Sequence, residues 1–181
     1  LSHLDEAVVV SMGTGTAIVH AKKNGEDYIT KYLGGTGVGG GTLVGLSKIM
    51  LGMESIEHIT ELAAGGSLDN VDLRIKDISS KESMINLPPD MTAANFGKVS
   101  DVASNADVAL AIINMVFETA GMLAIFAARS LKTKDIVLTG NLAAMPMAKE
   151  LFTSLSPKFG VNFIIPDKAQ FATAIGAAKA K

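Results

Sequence analysis

The chain contains no cysteine. Disulfides, thiolate metal sites and a cysteine nucleophile are therefore excluded. The three histidines, His3, His20 and His58, form no ligand cluster along the sequence. Charge is scarce as well. Only 19% of residues are charged and the formal net charge is −2, so no nucleic-acid partner is expected. No signal peptide is visible, which makes a cytoplasmic location the default. Residue 1 is Leu rather than Met, which reads as a chain beginning inside a longer natural protein. What is plentiful is apolar: 48% hydrophobic residues over 181 positions supply a substantial core for one domain, or two small ones.

Glycine is concentrated in one place. Six of the 18 glycines fall in Gly34-Gly35-Thr36-Gly37-Val38-Gly39-Gly40-Gly41-Thr42. The alternating stretch Asp27–Leu33 before it reads as a strand, and Leu43–Leu51 after it has helical spacing. A strand, a glycine loop and a helix start aim backbone N–H groups and the positive end of a helix at one point. Glycine there lets the backbone approach a bulky anion, and phosphate is the expected guest. The rival is a mobile surface loop, but the Ser, Asn and Lys of such loops are missing. Two familiar phosphate sites are also missing. Gly35-x-Gly37-x-x-Gly40 fits G-x-G-x-x-G, yet the region 56–64 that should hold a second strand and a ribose-binding acid reads as helix. The only Gly-Lys pair, Gly97-Lys98, is followed by Val99, so there is no Walker A sequence.

In chain order, the apolar run 7–12 reads as a buried strand. It breaks at Gly13-Thr14-Gly15-Thr16 and resumes over 17–21. Asn24-Gly25 supplies a hairpin turn into the strand from Asp27. Helices are expected at 42–51 and 55–64, the second opening at Ser55 and ended by Gly65-Gly66. A short helix over 72–78 and a loop over 79–91 follow. The longest helical pattern runs from 104 to 130, with Asn114 the only polar residue between Val108 and Phe117. Glu118 interrupts it, which argues against a membrane span. Apolar on nearly every side, it reads as a partner-covered helix or as a central core helix. A strand at 135–139, a turn at Gly140-Asn141, a helix at 144–155, a strand at 161–165 and a helix at 171–180 complete the chain. The order predicts an α/β domain: a mixed sheet of three antiparallel strands followed by βαβα, with helices on both faces. This is the ribonuclease H-like plan.

Met12-Gly13-Thr14-Gly15-Thr16, the long glycine loop, Asp90-Met91-Thr92-Ala93-Ala94-Asn95-Phe96-Gly97 and Ala174-Ile175-Gly176-Ala177 carry a more specific likeness. On these residues the chain resembles a type II pantothenate kinase, within the acetate and sugar kinase, Hsp70 and actin superfamily. The likeness runs from about residue 5 to the end and covers the C-terminal two-thirds of such an enzyme. It implies phosphorylation of pantothenate by ATP with Mg2+, the first step of coenzyme A synthesis. It assigns Thr14, Gly40, Gly41, Thr42, Leu43 and Val44 to the nucleotide and its phosphates, and Asn141 to the adenosine turn. It places Ile56 beside the adenine, where plain core is the alternative. Thr92 matches a threonine that reaches pantothenate from the neighbouring subunit, and helix 104–130 matches the helix of the homodimer.

Two things the resemblance requires are missing. The first phosphate loop, D-x-G-G-T, and the catalytic glutamate of such enzymes lie upstream of Leu1, in an N-terminal lobe absent from this chain. No general base is assigned here: Glu118 lies mid-helix, and Asp5, Asp90 and Asp101 have no motif support. Tyr32 stands where the resemblance expects an arginine, and a tyrosine supplies no fixed charge. Lys31 is adjacent but points to the opposite strand face. Either another cation serves, the substrate differs, or the kinase is weak or inactive. Two alternatives therefore accompany the pantothenate reading: another small-molecule kinase of the superfamily, and a non-catalytic nucleotide-binding and dimerisation module.

Overall fold

The computed structural model of the chain describes residues 3–78 and 88–179. Its strands are β1 (Glu6–Met12), β2 (Thr16–Asn24), β3 (Asp27–Thr36), β4 (Leu73–Arg74), β5 (Thr92–Ala94), β6 (Asp135–Thr139) and β7 (Asn162–Ile164). Its α-helices are α1 (Gly40–Leu51), α2 (Ile56–Ala63), α3 (Ile75–Ile78), α4 (Asn105–Leu131), α5 (Pro146–Phe159) and α6 (Ala172–Lys179). They form two compact units, Leu1–Thr42 with Val116–Lys181, and Leu43–Met115.

The first unit is built on a five-stranded sheet in the order β3-β2-β1-β6-β7. β1 is central because both its faces are apolar: Ala7, Val8, Val10 and Met12 are all buried. It pairs antiparallel with β2 and parallel with β6, and β7 adds parallel to β6. The β2–β3 hairpin turns through Gly25-Glu26, with Gly25 at φ 68°. A positive φ at the first of two loop residues suits the strand twist and favours glycine. β3 extends to Thr36, three residues beyond the alternating pattern, because Gly35 and Thr36 still pair with Ala17 and Thr16.

Register shows how the sheet is covered. Phe163 pairs with Ile136, and Ile136 with Val8, so these side chains share a face. On that face Phe163 meets Phe152 of α5 at 4.9 Å between ring centroids, and Phe152 meets Phe117 of α4 at 6.1 Å. The residues of opposite parity, Ala7, Val9 and Val137, line a cavity of about 430 Å³ with Gly176 and Lys179 of α6. Helices thus stand on both faces of the sheet, α5 packed on one and α6 over the other with no buried residue of its own.

The second unit takes its form from helix caps. Ser55 Oγ accepts from His58 N–H and starts α2 where the sequence places it. α4 opens with a reciprocal box in which Ser104 N–H donates to Asp107 Oδ2 and Asp107 N–H to Ser104 Oγ. β4 and β5 pair as a two-stranded ribbon with Arg74 opposite Thr92. Only 75–78 of the expected helix 72–78 is helical, because Leu73 and Arg74 are committed to this ribbon. Of the expected loop 79–91, residues 79–87 lie outside the described residues. The expected helix 144–155 begins at Pro146 and runs to Phe159, through Pro157. Its stop is Gly160, left-handed at φ 65°, whose N–H donates to Ser156 O.

Candidate functional site

β6 and β7 run parallel to β1, and β3 shares their direction because two antiparallel pairings separate it from β1. Met12, Thr36, Thr139 and Ile164 thus end their strands at one edge of the sheet. Open α/β sheets bind ligands outside such an edge. All three glycine turns that the sequence singles out lie there.

Two of them are interlocked. Gly40 N–H donates to Gly13 O and Gly41 N–H to Thr14 O, each at 2.8 Å. These two amides of the α1 start are therefore not unpaired, contrary to the expectation from the loop sequence. The glycines are needed for a different reason as well. A Cβ at Gly39 would lie 2.6 Å from Gly15 Cα and 2.7 Å from Thr14 O, and one at Gly40 would lie 2.9 Å from Gly13 O. Backbone packs on backbone, and no side chain fits between. Threonines lock the arrangement: Thr16 Oγ1 donates to Val38 O at 2.8 Å and Thr42 Oγ1 to Gly37 O at 2.9 Å. What faces solvent is Thr14, Gly37 and Gly41, with Thr42 half-buried. No acidic residue occupies the first turn of α1, so its positive end is not neutralised locally. This surface suits an anion.

The third turn joins the same edge. Gly140, at φ 92°, donates its N–H to Ala169 O at 3.0 Å, and a Cβ there would strike the backbone of Met12. Asn141 follows, exposed, at the start of a 3-10 turn through Ala144. Thr14, Gly40, Gly41, Thr42 and Asn141 thus belong to one unit and one sheet edge. Leu43, Val44 and Ile56 belong to the other unit. There Leu43 is fully buried, so only its backbone is available to a ligand, whereas Val44 and Ile56 are half-buried. A cavity of about 360 Å³ lies beside the 3-10 turn, lined by Ala143, Lys149, Phe163 and Asp167 among others, but by none of the expected nucleotide residues.

Tyr32 is 67% exposed on the edge strand β3, opposite Val19. A bulge follows it, because Ile18 pairs with Gly34 and leaves Leu33 unmatched. The tyrosine hydroxyl lies 3.2 Å from where a Cβ of Gly35 would stand, so it is turned toward the glycine loop. Lys31 pairs with His20 on the other face, as strand alternation requires.

Thr92 belongs to the second unit. Its Oγ1 accepts from Asn114 Nδ2 at 3.2 Å, and the same nitrogen donates to Asp72 Oδ2 at 3.2 Å. Phe96 N–H donates to Asp72 Oδ1 at 2.9 Å. Burial pushes the Asp72 carboxyl above its ordinary pKa, against the opposing pull of these hydrogen bonds. Sequence reasoning missed Asp72, which is linked to Thr92 through Asn114. Asn114 had one signal, its isolation in an apolar run. Among the described residues no group of three His, Asp or Glu side chains is placed to hold a metal ion.

Residues 6–156 match the family model named Fumble. A type II pantothenate kinase of Staphylococcus haemolyticus is 31% identical over 180 residues, covering 97% of this chain and 66% of that protein. One from Oceanobacillus iheyensis is 31% identical over 173 residues, covering 94% of this chain and 63% of that protein. The chain therefore spans somewhat under two thirds of the length of these relatives. Among solved structures, a ligand-bound xylulose kinase from Lactobacillus acidophilus superposes with a TM-score of 0.56 at 14% identity, over 96% of this chain and 38% of that one. At that identity the likeness concerns the fold, and it agrees with the fold class expected from the element order.

Proposed function

The chain belongs to the Fumble family, and from that premise we propose that the whole protein is a type II pantothenate kinase. It transfers phosphate from ATP to the terminal hydroxyl of pantothenate, the first step of coenzyme A synthesis. The observation that carries this is the interlocked pair of glycine turns at the sheet edge, with Thr14 and Gly41 exposed beside the α1 start. In phosphoryl transfer a protein mainly positions groups and stabilises charge. Thr14, Thr42, Leu43 and Val44 hold the phosphates in this proposal, Gly40 and Gly41, whose amides are already paired, leave room for the close approach of the nucleotide, and Asn141 lies on the adenosine and Ile56 beside the adenine. Thr92 meets pantothenate, from the neighbouring subunit of a homodimer formed through α4. Mg2+ accompanies the nucleotide, held mostly by phosphate oxygens and water as is usual for that ion. The chain acts as the C-terminal lobe of a two-lobed cytoplasmic kinase, and the general base is supplied by the other lobe.

Tyr32 favours a second reading, a kinase of the same superfamily acting on another small alcohol, since an exposed phenol stands where a guanidinium is expected. ADP release by the whole protein, followed with pantothenate and with amino sugars, separates the two. Turnover that requires pantothenate is the expected result. Turnover on an amino sugar alone would establish the second reading, and failure to bind ATP in calorimetry would sink both.

A further inference from the structure

The β4–β5 ribbon rests on a buried polar pair that phosphate transfer itself does not use. Asn114 is buried within α4 although the neighbouring positions are apolar. A leucine there would satisfy packing without the cost of desolvating an amide. Asp72 has no exposed surface, and both its oxygens receive N–H bonds, from Phe96 and from Asn114. An ionised carboxylate only accepts. It therefore dictates that Asn114 presents its nitrogen, since a flipped amide would set oxygen against oxygen. The same nitrogen reaches Thr92 Oγ1. Thr92 thus receives that bond, and its own proton is directed away from the amide.

We propose that Asn114, clamped by Asp72, is a positioning residue that holds the Thr92 hydroxyl in the rotamer that meets an oxygen of the small-molecule substrate. This rests on the reading that Thr92 meets pantothenate. Neither Asp72 nor Asn114 touches the substrate; both act through Thr92. Asp72→Asn keeps its one oxygen for the fixed Phe96 N–H and turns an NH2 toward Asn114, which reverses that amide and takes its nitrogen away from Thr92.

The test is steady-state kinetics of the whole protein with pantothenate and ATP varied separately. Thr92→Val is expected to raise the KM for pantothenate about tenfold, the size of one lost hydrogen bond, and to leave the KM for ATP unchanged. Asn114→Leu is expected to give a similar rise, with no further rise when combined with Thr92→Val. Should Asn114→Leu fail to fold, Asp72→Asn carries the same comparison in the same two backgrounds. Rises that multiply in the double variant overturn the proposal, because a merely structural role is independent of the Thr92 hydroxyl. A normal pantothenate KM in folded Asn114→Leu or Asp72→Asn, beside a raised one in Thr92→Val, overturns the positioning role alone. A normal KM in Thr92→Val overturns both the positioning role and the reading on which it rests.

Discussion

At the scale of residues, the glycines of the long loop divide into two kinds. Gly39 is buried against the backbone of Thr14 and Gly15, whereas a Cβ at Gly37 would meet nothing within 4 Å. Gly39→Ala is expected to cost about 1–3 kcal/mol, as overpacking does where neither backbone can yield, and to lower the melting temperature. Gly37→Ala is expected to leave melting unchanged or slightly raised, because it removes only unfolded-chain freedom. It is still expected to weaken ATP binding about tenfold, or about 1.4 kcal/mol, if phosphate approaches that bare backbone. Unchanged affinity in calorimetry would place the phosphates elsewhere. Tyr32 presents the complementary case, a residue where charge is missing. A preorganised charged donor is worth about 2–4 kcal/mol in a transition state, or roughly 30- to 1,000-fold in rate. Tyr32→Arg should therefore raise pantothenate turnover. A flat response, with activity falling on another substrate, would mean that the tyrosine serves that substrate.

At the scale of elements, the start of α4 has a pH signature. Asp107 receives N–H bonds from Ser104 and Ser67 and a further one from Asn70, and together they hold its carboxyl down to about 2 from an ordinary 3.8. A depressed folded pKa contributes stability that is fully present above the unfolded value and is lost as pH falls through the folded one. Unfolding by urea should show that loss between about pH 4 and pH 2, and Asp107→Asn should flatten it. Asp72 runs the other way: its pKa is raised, so ionising it above the ordinary range costs stability. Neither effect was legible beforehand, because both depend on loops brought to α4 by folding. The elements that were legible are those with long signals. β1 and β6 are apolar runs, the β2–β3 hairpin has Asn24-Gly25, and α4 has a 27-residue pattern. β4 and β5, at two and three residues, are too short for any periodicity. The glycine loop was legible as a strand-to-helix turn, but its lock onto Gly13 and Thr14 was not, since neither turn's sequence names the other as its partner.

At the scale of the whole molecule, α4 is the element whose surroundings decide what the protein is. It is long and apolar enough to cross a membrane, with a mean hydropathy of 2.0 over its most apolar window, yet 61% of that window is buried inside the protein itself. Ala109, Ile112, Val116, Ala120, Ala124 and Ala128 are covered by the chain's own residues. The core reading of the helix therefore accounts for most of its apolar surface without a partner. Among the apolar residues it leaves partly uncovered in the first unit are Met122 and Leu123, half-buried, and Phe126, 56% exposed. Met122 and Phe126, four apart, lie on one side of the α-helix. A second copy of the chain would cover this side with its own, as two-fold interfaces do. Because Phe126 is exposed in the single chain, Phe126→Glu should leave the melting temperature of a monomer nearly unchanged while a charge at a buried interface disfavours association. Sedimentation at micromolar concentration should then show dimers for the parent and monomers for the variant. A parent that sediments as a monomer would make α4 an ordinary core helix, and Thr92 would have to serve its own subunit. A variant that stays dimeric would move the interface off this side of α4.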